Sequence, residues 1–139
     1  MAHLHRAAAT LRIVGSELDP DEVSRLLGSA PSQCERAGEE VKSEHGLAPR
    51  VARNGVWRLK ASVTQPENLD VQVKELLDQL TTDISVWTSL ARRYRVDLFC
   101  GWFMKETNEG VDIAPQTLAE LGSRGIKLSL DIYSADDRA

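Results

Sequence analysis

The chain has 139 residues, of which 42% are hydrophobic and 27% are charged, and its net charge is −4. This length is enough for one substantial core, and the composition is that of a soluble globular protein. The acidic balance argues against non-specific nucleic-acid binding. Two cysteines, Cys34 and Cys100, lie far apart in neither a metal-binding nor a redox spacing. We therefore expect one domain over residues 1–139, with reduced thiols.

The location that the sequence favours is the cytoplasm. The first residues lack the uninterrupted apolar run of a signal peptide. No stretch of about 18 apolar residues occurs that would span a bilayer. We therefore expect a cytoplasmic protein with no membrane association.

Residues 11–28 predict a strand, a turn and a capped helix, after a loose lead-in over residues 1–8. Apolar and polar residues alternate over 11–13, which is the period of a half-buried strand. Asp19 is placed to cap a helix over Pro20–Leu27. Its neighbouring acids would then face the positive end of the helix dipole, so we interpret this acidic cluster as capping and not as a divalent-metal site.

The segment from Ser29 to Asn54 is the least regular part of the chain. A short strand is predicted over residues 33–36, followed by a long polar loop punctuated by glycine and proline. His45 lies in this loop, while His3 and His5 lie in the lead-in. His45 has no partner at a recognisable spacing, so we expect it to be solvated and not catalytic. His3 and His5 could bind a metal together with the terminal amine, but we interpret them as part of an incidental tail.

The middle of the chain combines a clear strand with the longest helical pattern. Residues 56–63 alternate between apolar and polar, which predicts a strand with one core face. A helical period then runs over residues 69–94. The poor helix formers of residues 81–83 mark a place where this helix can be interrupted. Thr64 and Asn68 are the candidate N-caps.

The last third predicts a second strand–helix–strand unit. Residues 96–104 are apolar on both faces, as in a central strand, and Cys100 within them is expected to be a small buried hydrophobe. A short strand over 111–113, a helix over Pro115–Leu121 and an alternating strand over 126–133 follow.

These elements predict an α+β fold with a mostly antiparallel, twisted sheet and helices on one face. A short pattern shared by residues 18–26 and 113–121 indicates a duplicated ferredoxin-like layout. Its halves would cover about residues 10–63 and 96–134, linked by the helix over 69–94. The predicted shared core is Trp57, Leu76, Leu80, Trp87, Leu98, Leu128 and Leu130.

The sheet face opposite this core is the surface nearest to a function. Strand alternation predicts that it carries basic and aromatic side chains. The members of this candidate interaction face are Arg12, Arg58, Lys60, Phe99, Phe103, Lys127 and Tyr133. Such a face can bind single-stranded nucleic acid or an acidic ligand, or a second copy can dock on it. The negative net charge favours docking, and a loop from residues 29–54 is an alternative cover.

The chain contains no phosphate-binding glycine loop, dinucleotide fingerprint, zinc spacing or nucleophile elbow. Its carboxylates are largely explained by caps and solvated faces. We therefore assign no catalytic, cofactor-binding or metal-binding residue, expect no cofactor, and predict that the protein is not an enzyme.

Three groups of residues resemble a known family. They are Ile13-Val-Gly-x-x-Leu-Asp-Pro-Asp-Glu-Val-Ser-x-x-Leu-Gly28, Gly55-x-Trp57-x-Leu59 and Leu130-Asp-Ile-Tyr133. Together they look like a family of small bacterial proteins catalogued as a domain of unknown function, over about Thr10 to Tyr133. The resemblance implies a compact bacterial domain and brings no activity, substrate or catalytic residue.

The leading functional hypothesis is a non-enzymatic module that binds a protein or ligand, with a protein partner or self-association expected and nucleic acid disfavoured. The second hypothesis is a toxin-neutralising immunity protein. In that case Glu35, Glu39, Glu40 and Glu44 would meet a basic toxin surface. The third is an enzyme that uses carboxylates of the same loop on a small substrate.

Overall fold

A five-stranded sheet forms the centre of the computed structural model, which describes residues 2–42 and 48–135. Its strands are β2 (Arg6–Gly15), β3 (Gln33–Glu35), β6 (Gly55–Lys60), β7 (Arg95–Phe103) and β9 (Lys127–Tyr133). They lie in the order β3-β6-β2-β7-β9. All neighbours are antiparallel except β7 and β9, which are parallel.

Four helices cover one face of this sheet. They are α1 (Pro20–Leu27), α2 (Leu69–Leu77), α3 (Ile84–Arg93) and α4 (Pro115–Ser123). Burial alternates along β2, where Ala7, Ala9, Leu11 and Ile13 are buried. These residues share one hydrophobic cluster with apolar side chains from all four helices. The helices thus bury one side of the sheet, and within residues 2–42 and 48–135 no helix covers the other side.

This architecture confirms the predicted α+β class and the mostly antiparallel sheet. The duplicated ferredoxin-like layout is not confirmed. In the first half the chain returns from β2 through α1 to β6 antiparallel, whereas in the second half β7 and β9 are joined through α4 in parallel. The two helices share a proline at their start, but the strands around them do not share a direction.

The helical pattern of residues 69–94 forms two helices, α2 and α3. The break lies at the poor helix formers that the sequence marks, and Asp83 caps the new helix by accepting a hydrogen bond from the Ser85 amide at 2.9 Å. Asn68 caps α2 in the same way. Leu80, between the helices, remains buried, so the apolar period continues across the break.

The prediction of a loose lead-in over residues 1–8 is wrong. β1 (Ala2–His3) pairs in parallel with β8 (Glu109–Gly110), and β2 already begins at Arg6. The predicted strand over 111–113 is also misplaced, because the paired residues lie just before it. Small Ala7 and Ala9 carry the alternation at the start of β2, and their side chains give little hydrophobic signal.

Most of the predicted core is confirmed, but the prediction that Leu130 on β9 belongs to it is wrong. Every predicted member outside β9 is buried, and Leu128 packs partly buried against the cluster. Leu130 and Ile132, in contrast, are 42% and 52% exposed. Strand β9 is the last strand of the sheet, so its residues have a neighbouring strand on one side only.

The irregular segment after α1 contains more pairing than its sequence predicts. After β3, the strands β4 (Glu40–Val41) and β5 (Arg50–Val51) form a short antiparallel pair. Glu44 and His45 lie outside the described residues. No helix within 2–42 and 48–135 has the length and apolar character needed to cross a bilayer.

Candidate functional site

The helix-free side of the five-stranded sheet, which we call the open face, gathers all seven residues of the predicted interaction face. Cross-strand register assigns them, because paired residues of neighbouring strands point to the same side. Arg12 pairs with Arg58 and with Asp97, and Asp97 in turn pairs with Lys127. The same alternation brings Lys60, Phe99, Phe103 and Tyr133 to this side. That this face binds a partner stays a prediction.

Two arginines on β2 cover the aromatic rings of β7. The Arg12 guanidinium carbon lies 4.4 Å from the centroid of the Phe99 ring, and that of Arg6 lies 4.1 Å from the Phe103 centroid. Tyr133 stacks on Phe103 with the ring centroids 4.9 Å apart and the planes 7° from parallel. Each arginine is held by the electron-rich face of its ring. Arg12 and Arg6 therefore cover part of the Phe99 and Phe103 rings on this face.

Arg12 is fixed in this position by a two-point ion pair. Its Nε and Nη2 donate to the two carboxylate oxygens of Asp97 at 2.8 and 2.6 Å. The hydrogen bonds to Asp97 raise the pKa of Arg12, so the guanidinium stays charged. Ser129 also donates to Asp97 at 3.3 Å. The centre of the open face is thus a preorganised polar network across three strands.

One corner of the open face is closed by Glu35. This carboxylate is buried and accepts hydrogen bonds from Arg58 at 2.7 Å and from Arg50 at 2.8 Å. Burial alone raises the pKa of Glu35, but the hydrogen bonds from Arg58 and Arg50 outweigh burial and bring the pKa below its ordinary value. Arg50 belongs to β5, so the described part of the segment after β3 reaches this corner of the open face.

The open face carries a net positive charge. Its five strands place six cationic and three anionic side chains on this side, a net charge of +3 on a chain whose net charge is −4. Arg12, Arg95 and Lys127 converge with Asp97 on a cleft of about 420 Å³ where β2, β7 and the end of α3 meet. Lys60, Arg95 and Lys127 are exposed and form no ion pair with any residue that the structure describes.

Three participants in the open face were missed in the sequence. Arg6 lies in the segment predicted as a lead-in, Arg95 lies between the predicted helix over 69–94 and the predicted strand over 96–104, and Asp97 is not among the predicted members of the face. For the last two the signal was available: they alternate with Phe99 and Phe103 along one strand. Arg6 carries a weaker signal, because only small alanines alternate with it.

The acidic start of α1 is a cap, as predicted. Asp19 accepts a hydrogen bond from the Asp21 amide at 3.0 Å, and Gly28 ends the helix with φ +80°. Arg36 donates to both Asp19 and Asp21, at 3.0 and 2.7 Å. These carboxylates are therefore engaged in capping and ion pairing.

The described carboxylates of the 30s–40s segment are Glu35, Glu39 and Glu40, because Glu44 lies outside the described residues. Glu35 is buried between two arginines, and its lowered pKa is the opposite of what a proton donor at neutral pH requires. Glu39 and Glu40 are exposed. The open face beside them is cationic, so it would repel a basic toxin surface.

The cavity between α2 and α4 and the buried Cys100 are weaker candidates for a binding site than the open face. A cavity of about 500 Å³ lies between α2 and α4, but its Asp70 carboxylate already accepts from Thr117 at 2.6 Å and from the Ala114 amide at 3.1 Å. Cys100 is fully buried, as predicted, and burial raises the pKa of its thiol to about 12.

Comparison with known proteins places these features in a family. A protein-family model described as a domain of unknown function, DUF4279, matches residues 3–135. No curated protein matches the chain, and no solved structure matches it.

Proposed function

We propose that this chain, which belongs to the DUF4279 family of domains of unknown function, is a non-enzymatic binding module whose open face receives an acidic segment of a partner protein. The observation that supports this proposal is the charge of the open face, which is +3 on an acidic chain. Opposite charge across an interface speeds encounter and excludes partners of the wrong sign.

The geometry of the face suits such a partner. Arg12 and Arg6 are held over Phe99 and Phe103, so a bound segment meets charges that are already ordered. The cleft beside Arg95 and Lys127 is large enough for a carboxylate side chain. Docking of a second copy face to face is disfavoured, because two surfaces of charge +3 would repel each other.

Peptides of defined charge test the proposal. We would measure the binding of a fluorescently labelled deca-glutamate peptide by anisotropy, beside a labelled deca-lysine peptide and an oligothymidine strand. The double variant Lys60→Glu, Arg95→Glu reverses two exposed charges of the open face. Its matched control, Lys74→Glu, Arg92→Glu, makes the same change of net charge on the helical side.

We expect the open-face variant to weaken deca-glutamate binding about tenfold or more and the control to change it by less than about threefold. If both variants weakened deca-glutamate binding equally, binding would depend only on the net charge of the protein, and the proposal that the open face is the binding site would be contradicted. Absence of deca-glutamate binding would reject the acidic partner. Preferential binding of oligothymidine with a steep salt dependence would assign the face to nucleic acid.

A further inference from the structure

We propose that two copies of this chain pair through the outer edges of their β9 strands, antiparallel and around a two-fold axis at Leu130. This contact uses the edge of the sheet and not the open face, so it is independent of the function proposed above. The resulting dimer would carry a continuous ten-stranded sheet, with the two open faces side by side on the same surface.

The first argument is the unpaired backbone of β9. It is the terminal strand of the sheet and pairs only with β7 among the described residues. The Tyr133 carbonyl accepts a hydrogen bond from the Met104 amide at 2.9 Å, so Tyr133 directs its backbone groups inward. In a parallel ladder alternate residues share a direction, which leaves the amides and carbonyls of Leu128, Leu130 and Ile132 directed outward.

The second argument is that β9 lacks most of the usual edge protection. Sheet edges are commonly guarded by charged side chains, proline, bulges, inward-pointing charges or short length. The charged side chains of β9, Lys127 and Asp131, both lie on the open side. Strand β9 is seven residues long, contains no proline, and exposes Leu130 by 42% and Ile132 by 52%. The side chains of Leu130 and Ile132 lie on the helical side and continue the row that begins with buried Ile126.

The third argument is that the strand is complementary to itself. With Leu130 opposite Leu130 of the second copy, Leu128 faces its Ile132, so apolar side chains meet on the helical side. On the other side Lys127 is diagonal to the second copy's Asp131, within reach of a long side chain. Lys127 has no ion-pair partner among the described residues, and Asp131 accepts only from the Tyr133 hydroxyl at 2.7 Å. Antiparallel pairing would therefore form the ion pair between Lys127 of one copy and Asp131 of the other twice, once on each side of the two-fold axis.

Sedimentation velocity over a concentration series tests this pairing with a charge-swap cycle. We expect the wild type to show a monomer–dimer equilibrium. Lys127→Asp sets like charges against each other at two symmetric places and should raise the dimer dissociation constant about tenfold or more. The double variant Lys127→Asp, Asp131→Lys restores opposite signs and should return the constant to within about threefold of wild type. Lys60→Glu makes the same change of net charge on β6, three strands away from β9, and should leave the constant unchanged.

A backbone variant gives an independent readout. Leu130→Pro removes an amide that the sheet of one copy does not use, so circular dichroism should show a folded chain while dimerisation is lost. A wild type that stays monomeric at high micromolar concentration would overturn the proposal. So would a double variant that fails to recover, or a folded Leu130→Pro protein that dimerises as well as wild type.

Discussion

Leu98 and Leu130 test how far the helical layer covers the sheet. They lie on neighbouring strands and on the same side, yet Leu98 is 1% exposed and Leu130 is 42% exposed. Replacing each by alanine removes the same atoms from two different environments. We therefore expect Leu98→Ala to lower the free energy of unfolding much more than Leu130→Ala.

The expected magnitudes follow from burial. Leu98→Ala removes three carbon groups, worth roughly 2.4 kcal/mol at about 0.8 kcal/mol for each buried group. Leu98 already borders a void of about 10 Å³ beside Leu11 and Leu76, and the truncation enlarges it. The cavity brings the expected loss to about 3–5 kcal/mol. At Leu130 solvent fills the vacated space, so the loss should be about 1 kcal/mol.

Urea unfolding followed by tryptophan fluorescence measures both losses, because Trp57, Trp87 and Trp102 are at most 5% exposed and report on the core. Low protein concentration keeps self-association out of the measurement. Equal losses for the two variants would refute the reasoning, since they would mean that the second half of β9 is covered as fully as β7.

Two further predictions concern charged groups. Asp19→Ala should lower the midpoint of chemical denaturation, while Asp19→Asn, which keeps a capping oxygen, should lower it less; equal losses would contradict the cap. Glu35→Gln should cost about 1–3 kcal/mol at neutral pH, because the carboxylate is buried against Arg58 and Arg50. Since the folded-state pKa of Glu35 lies below the ordinary value of 4.5, this contribution is present above that value and is lost as the pH falls through the folded-state pKa. A loss that stays constant from neutral to acidic pH would contradict the ion pairing.

Local features were predictable from the sequence because neighbouring residues decide them. The cap at Asp19 requires only the backbone amides that follow it, and the break after α2 requires only residues 78–83. Strand alternation likewise predicted seven members of the open face, because the period of two fixes which side chains share a side. Periodicity does not report what lies above that side.

Features that depend on distant parts of the chain were not predictable. Leu130 and Leu128 have the same phase in the edge strand β9, yet Leu128 packs against the hydrophobic cluster while Leu130 is exposed, and alternation along the strand does not report this difference. The Arg50–Glu35–Arg58 cluster joins residues that are far apart in sequence. The direction of β9 relative to β7 also follows from the path of the chain through α4 and from no single motif.

The one-sided cover of the sheet separates the part of the chain that specifies the fold from the part that meets solvent. The buried side chains of β2 point to the helices, while Thr10, Arg12 and their neighbours on the open face contribute little to the core. Substitutions on that side should therefore be tolerated far better than those beneath the helices. Evolution can vary the chemistry of this surface without rebuilding the protein, and the same property makes the domain a scaffold on which a randomised sheet surface can be selected for new ligands.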